Sequence, residues 1–140
     1  MLLRKVPGPT GDAGAMLVEP RHMDIKHLHL HVRDRAPSER FYKKWLGLRV
    51  AHQSEKLTFM EDDAGFSLAL MADPNPAMMP EWFHFGSRLE SPEAVEKLHA
   101  AMAAASVPIA RPLYRDDTLA SFRCADPDGY AIEIYWESPT

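Results

Sequence analysis

Apolar and polar positions along this chain alternate first with a period of two and then with a period near 3.6, and the chain runs through that sequence twice. From Ile25 to Val32 the alternation is strict. Leu28, Leu30 and Val32 point one way and His27, His29 and His31 the other, as on a strand with one buried face. A helix follows, with Ser38 as the expected N-cap, Phe41, Trp45 and Leu46 as its apolar stripe, and Gly47 at its C-terminal stop. Three short strands are predicted next, at Leu48–Ala51, Leu57–Met60 and Phe66–Met71, with the turn Glu61-Asp62-Asp63-Ala64-Gly65 before the last. After a Pro- and Met-rich stretch the order returns. A strand is predicted over Trp82–Leu89, then a helix capped by Ser91 with Pro92 in its first turn and a stripe of Val95, Leu98 and Met102. Strands follow at Pro108–Tyr114, Leu119–Ala125 and Ala131–Trp136.

The registers of the two halves agree as well as their order. His27 lies seven residues before Asp34, just ahead of the first helix, and His84 lies seven residues before Ser91, which opens the second. Gly65 precedes Phe66-Ser67-Leu68-Ala69-Leu70 as Gly129 precedes Tyr130-Ala131-Ile132-Glu133-Ile134. An internal repeat of this kind weighs more than any single residue in fixing the fold. Strands joined at hairpin scale, with one helix per half, predict an α+β protein of two βαβββ modules. The expected organisation is a flexible N-terminal extension over 1–22, a first module over 23–71, a linker over 72–81 and a second module over 82–137.

At 140 residues and 46% hydrophobic content the chain can form a substantial core, and its net charge of −4 offers no footprint for nucleic acid or a membrane surface. Cys124 is the single cysteine, so an intrachain disulfide and a cysteine-based zinc site are both excluded. The first residues lack a continuous apolar segment, and a soluble cytoplasmic protein is expected.

The chemistry concentrates on His27, His84 and Glu133. Read singly, each has an ordinary explanation: a solvent-facing strand histidine, a hydrogen-bonded core histidine, and a charge guarding a strand edge. Read together, they suggest a metal site. His27 and His84 hold the same register in equivalent modules, so a pseudo-two-fold pairing would bring them together. Glu133 stands between apolar neighbours, where a carboxylate is costly unless paired or bound to a cation. Two imidazoles and a carboxylate suit Fe, Mn, Ni, Co or Zn, and leave coordination positions open.

From about Ile25 to Glu137 the chain resembles the vicinal oxygen chelate superfamily, which includes glyoxalase I, extradiol dioxygenases, fosfomycin-resistance enzymes, methylmalonyl-CoA epimerase and bleomycin-resistance proteins. The resemblance rests on His27, Asp34, Ser38, Phe41-Tyr42, Leu46-Gly47 and His84, and above all on Asp126-Pro127-Asp128-Gly129-Tyr130-Ala131-Ile132-Glu133. It implies curled mixed sheets around a metal cup, and one divalent ion per site held by His27, His84 and Glu133. It further implies a small oxygenated substrate chelated to that ion and a homodimer. The expected function is a metal-dependent lyase, isomerase or dioxygenase; the alternative is a metal-free, bleomycin-resistance-like protein that binds a drug or metabolite.

The chain also departs from named members. The repeat puts Ala69 where glyoxalase I and the epimerase resemble this pattern but carry a fourth ligand, Glu or Gln. Arg123 stands ten residues before Glu133, where the dioxygenases and fosfomycin enzymes usually carry tyrosine, and the loop Arg115–Ala120 lacks the latter's Ser/Gly-rich potassium loop. Arg123 is therefore a candidate clamp for an anionic substrate, with an ordinary surface-strand role as the alternative. His29, on the face of His27 and with an unperturbed pKa near neutrality, is the candidate acid–base group, or else a rim histidine. Tyr135, sharing the face of Glu133, and Trp82 are the expected substrate-lining aromatics. Met78 and Met79 are expected either in an adaptable apolar wall or in packing between the modules.

Overall fold

A computed structural model describes residues 3–6, 15–18 and 23–140. The expected N-terminal extension falls for the most part outside the described residues. Within it, β1 (Leu3–Val6) and β2 (Ala15–Val18) pair antiparallel.

The two expected modules are present. The first contains β3 (His27–Val32), α1 (Arg35–Leu46), β4 (Arg49–Gln53), β5 (Leu57–Glu61) and β6 (Ser67–Ala72). The second contains β7 (His84–Arg88), α2 (Pro92–Ala104), β8 (Ile109–Arg115), β9 (Leu119–Ala125) and β10 (Ala131–Glu137). Each forms a four-stranded mixed sheet, in the orders β3-β6-β5-β4 and β7-β10-β9-β8. In both, the first strand runs parallel to the last and occupies a sheet edge, while the remaining pairs are antiparallel. Neither sheet closes into a barrel.

The registers confirm the repeat residue by residue. β3 starts opposite the first residue of β6 (His27 with Ser67), and β7 starts opposite the first residue of β10 (His84 with Ala131). Ala69 and Glu133 are both the third residues of their strands. Gly65 and Gly129, which set up those strands, share a φ of +89°, a left-handed conformation that glycine adopts without a Cβ penalty.

Both helices begin at the equivalent position, which corrects the expected first cap. The N-cap of α1 is Asp34, whose carboxylate accepts from the Ala36 N–H at 3.1 Å, just as Ser91 Oγ accepts from the Ala94 N–H in α2. Ser38 lies inside the first turn and is buried. Its hydroxyl donates to the Asp34 carbonyl, an internal satisfaction that sequence spacing alone does not separate from a cap.

A single core spans both modules. Leu30, Val32, Tyr42, Met60, Leu68 and Leu70 come from the first, and Val95, Met102, Phe122, Ile132 and Ile134 from the second. The turn Asp126–Tyr130 ties the modules together. Asp126 Oδ1 accepts the N–H groups of Asp128 and Tyr130, closing the turn on itself. Its other oxygen accepts from the buried Tyr42 hydroxyl at 2.6 Å. Asp128 accepts from the Arg33 N–H and the Ser38 hydroxyl, and the Tyr130 hydroxyl donates to the His31 carbonyl at 2.7 Å. Because these contacts bury one side of each sheet, the opposite sides, carrying His27 and Glu133 respectively, are left facing away from the core. Among the described residues no helix is long and apolar enough to cross a membrane.

Candidate functional site

Strand alternation decides which side chains meet on the outer face of the second sheet. Ile132 and Ile134 of β10 point into the core, so Ala131, Glu133 and Tyr135 point outward. The register then sets a row across the sheet: Gly86 on β7, Glu133 on β10, Arg123 on β9 and Arg111 on β8. The same row in the first sheet reads His29, Ala69, Phe59 and His52. The modules thus share a frame and differ in chemistry. One row is cationic and acidic, the other imidazole and apolar.

His84 and Glu133 come together. His84 Nε2 lies 3.4 Å from Glu133 Oε2. The imidazole Nδ1 sits 2.9 Å from the Trp82 carbonyl, an acceptor only, so Nδ1 carries the proton and Nε2 presents its lone pair. The other carboxylate oxygen, Oε1, accepts from the Ser121 hydroxyl at 2.7 Å. Two lone-pair donors therefore face each other at a separation too long for an imidazolium–carboxylate hydrogen bond, which runs about 2.7–2.9 Å. Donors each about 2.1 Å from a common metal stand about 3.0 Å apart at a right angle and about 3.4 Å at the tetrahedral angle. The pair thus fits two adjacent positions of a metal site.

His27 is not with them. It lies on β3 of the other sheet, exposed, and among the described residues no group of three or more His, Cys, Asp or Glu side chains is arranged to hold a metal within one chain. The pseudo-symmetric placement of His27 and His84 holds, but their convergence does not occur inside one chain, because the modules pack through their core sides. His29 lies on the same exposed face as His27, opposite Ala69, with its ring 5.2 Å from that of His31. His31 is anchored by Asp73 Oδ2 at 2.9 Å.

Arg123 is placed at the pair. Its Nη2 lies 3.3 Å from His84 Nε2, the guanidinium donating to the imidazole lone pair. A cleft of about 530 Å³ opens here, lined by Glu81, Trp82, His84, Ala110, Arg111, Arg123 and Ala131. Trp82 is at its mouth, 73% exposed. Tyr135 lies on the Glu133 face but away from this cleft, opposite Ser121 and Arg88, with its ring over Gly86, where a Cβ would come within 3.1 Å of it. Met78 is exposed and, with Met79, lines an adjoining cleft of about 250 Å³ along the linker. Sequence reasoning missed Ser121 and Arg111. The alternation that singled out Arg123 carried the signal for Ser121, two residues earlier on the same face. Arg111 is brought opposite Arg123 by register shifts on either side of it, between Ile109 and Arg111 and between Arg111 and Tyr114, which no periodicity reveals.

Comparison with known proteins agrees with this fold. The sequence model of the glyoxalase/bleomycin resistance protein/dioxygenase superfamily matches residues 24–134. A possible glyoxalase from Bacillus cereus is 30% identical, with a TM-score of 0.71 over 80% of this chain and 97% of that one. Two others share the fold at lower identity. The genomically encoded fosfomycin resistance protein FosX from Listeria monocytogenes is 18% identical, with a TM-score of 0.72 over 84% of this chain and 96% of that one. A lactoylglutathione lyase from Agrobacterium tumefaciens is 20% identical, with a TM-score of 0.68 over 84% and 96%. Among curated proteins no sequence match was found.

Proposed function

Since the chain belongs to the glyoxalase/bleomycin resistance protein/dioxygenase superfamily, we propose that it is a divalent-metal-dependent enzyme acting on a small oxygenated substrate. His84 and Glu133 of one chain and His27 of a second copy hold the metal. The observation that carries this reading is the His84–Glu133 pair, two lone pairs 3.4 Å apart with one tautomer fixed by Trp82 and one carboxylate oxygen fixed by Ser121. The exposed position of His27 on the edge strand β3, and the half-buried one of His84 on the edge strand β7, support completion of the site between two copies. A bound divalent ion polarises substrate oxygens and stabilises developing negative charge. Within the chain, Ser121 orients the carboxylate, the Trp82 carbonyl orients His84, and Arg123 meets the substrate. His29, on the face of His27, is the candidate proton carrier. Ala69, where Glu133 has its counterpart, leaves the first module without a carboxylate ligand, which weighs against a reaction needing a fourth ligand that also serves as base. Soluble, cytoplasmic residence accompanies this reading.

A second reading follows from Arg123. Its guanidinium occupies the His84 lone pair, as a protein cation standing in for a metal would, and supports a metal-free binding protein. Elemental analysis of the purified full-length chain separates the two. Stoichiometric divalent metal, lost in each of His27→Ala, His84→Ala and Glu133→Ala but kept in His31→Ala, is the expected result; metal retained in Glu133→Ala refutes the ligand set. Complementation tests the shared site. Mixing His27→Ala with Glu133→Ala chains should restore about a quarter of the wild-type metal, since each mixed dimer keeps one intact site. No recovery, with exchange of chains verified, would refute a site completed by a second copy.

A further inference from the structure

The cleft beside His84 is lined by two arginines that form no ion pair among the described residues. Arg123 stands directly across the ladder from Glu133, where a cross-strand ion pair would be the ordinary outcome. That pair does not form. One Glu133 oxygen accepts from Ser121, the other faces His84, and no carboxylate among the described residues lies within ion-pair distance of the Arg123 guanidinium. Its Nε is the single buried side-chain nitrogen or oxygen among the described residues that lacks a hydrogen-bond partner. Its polar contact is with the His84 imidazole, at 3.3 Å.

Arg111 adds to the imbalance. It pairs with Arg123 in the β8–β9 register and lines the same cleft, a like-charge neighbour that costs stability in the absence of a counter-ion. Neither arginine has an ion-pair partner among the described residues, whereas Arg33, Arg49, Arg88 and Arg115 all do; Arg40 is likewise without one, and Arg35 is held by the Ser54 and Glu55 carbonyls instead. Glu81 also lines the cleft, yet it pairs with neither. Two uncompensated guanidinium forks, one with a buried unused donor, form a receptor for an oxyanion, whose oxygens accept paired N–H donors. The exposed Trp82 offers the adjoining apolar surface, and a volume of about 530 Å³ has room for a small molecule.

We propose that this cleft binds an oxyanion group of the substrate, a carboxylate or a phosphoryl group, gripped by Arg123 and Arg111 beside the His84–Glu133 pair. Only the assignment of that anion to the substrate rests on the functional reading; the anion site stands on the arginines. The test is calorimetric titration of the metal-free, full-length protein with inorganic phosphate and, separately, with malonate. Arginine Nε–H resonances are followed in parallel. Saturable binding of one of the two, shifting the Arg123 Nε–H signal, is expected, and the tighter of the two names the group. Arg123→Gln and Arg111→Gln should each weaken that binding about tenfold or more, as loss of a charge-assisted hydrogen bond does, while Arg115→Gln should not. Arg111 is exposed, so its replacement leaves the fold intact even if Arg123→Gln does not fold. Saturation by neither anion, or equal weakening by Arg111→Gln and Arg115→Gln, overturns the proposal. Absence of metal in the elemental analysis would refute the metalloenzyme reading and leave this titration unaffected.

Discussion

Replacing Ser121 with alanine tests whether Glu133 is held ready for a cation. Ser121 is 6% exposed, and its hydroxyl donates to Glu133 Oε1 at 2.7 Å, leaving Oε2 toward His84. A hydrogen bond to a charged acceptor contributes about 1.5–3 kcal/mol, corresponding to roughly 10–150-fold in an equilibrium constant. The Glu133 side chain is 26% exposed, so water partly replaces the lost donor. The effect should therefore fall near the lower end, about tenfold, within the range seen when groups that orient a metal ligand are removed. The assay is competition for Co(II) or Zn(II) between the metal-free protein and a chromophoric chelator. The Co(II) spectrum should also shift, because the carboxylate is freed to change its mode of binding, and a purely structural serine would leave that spectrum alone. Thermal melting controls for unfolding, and Glu133→Ala sets the limit of complete loss. Unchanged affinity and spectrum in Ser121→Ala, with metal lost from Glu133→Ala, would refute the positioning role.

Three further outcomes follow from buried polar groups. Tyr42→Phe removes the 2.6 Å donor to Asp126 and should lower stability by about 1–3 kcal/mol in denaturant titration; a change within error would show that the two modules do not depend on this link. Burial holds the Asp126 carboxyl above its usual range despite three hydrogen bonds, so the fold favours its protonated form. That contribution is complete below the unfolded value near about 4 and disappears as pH rises through the folded one, so Asp126→Asn should flatten the stability profile just above pH ~4. Burial likewise pushes the Cys124 thiol up to about 11, and it should resist a disulfide reagent at pH ~8 until the chain is denatured; rapid labelling of the native protein would contradict the buried position.

Much of the fold was legible because the repeat is written twice. Each module announces a period-two strand, a capped helix and a glycine-led final strand, so an ambiguous segment in one half could be read from the other. The miss at Ser38 shows the limit. Asp34 and Ser38 are both good N-cap residues, and the equivalence of Asp34 with Ser91 was the better guide than the apolar stripe that begins at Phe41. Tyr42 was missed as a core residue for a related reason. Its hydroxyl makes it look amphipathic, and only the partner carboxylate on the Asp126 turn, 84 residues away, makes its burial affordable.

The candidate site was legible in its residues and not in its geometry. Alternation places Glu133 and Arg123 on one face, and the repeat equates His27 with His84, but neither says which sides of the two sheets pack together. That depends on the energies of the opposite faces. Leu28, Leu30 and Val32 on β3 and Ile132 and Ile134 on β10 turn their sides inward, and the Asp126–Tyr130 turn locks them there. Each of those faces is covered by its own module's helix, α1 against β4 and β6 and α2 against β8, β9 and β10, so the histidine face of one sheet and the carboxylate face of the other lie on the side away from the helices. Both are left beside an unpaired edge strand. Equivalent positions in a repeat converge within one chain only if the modules pack through the faces that carry them. Here the helix-covered faces supply the shared core, so a site uniting the three proposed ligands would need a second copy. The asymmetry between the rows then gains a meaning. A site shared between copies would set the imidazole face of one sheet against the carboxylate and arginines of the other, whereas two identical faces would confront like with like.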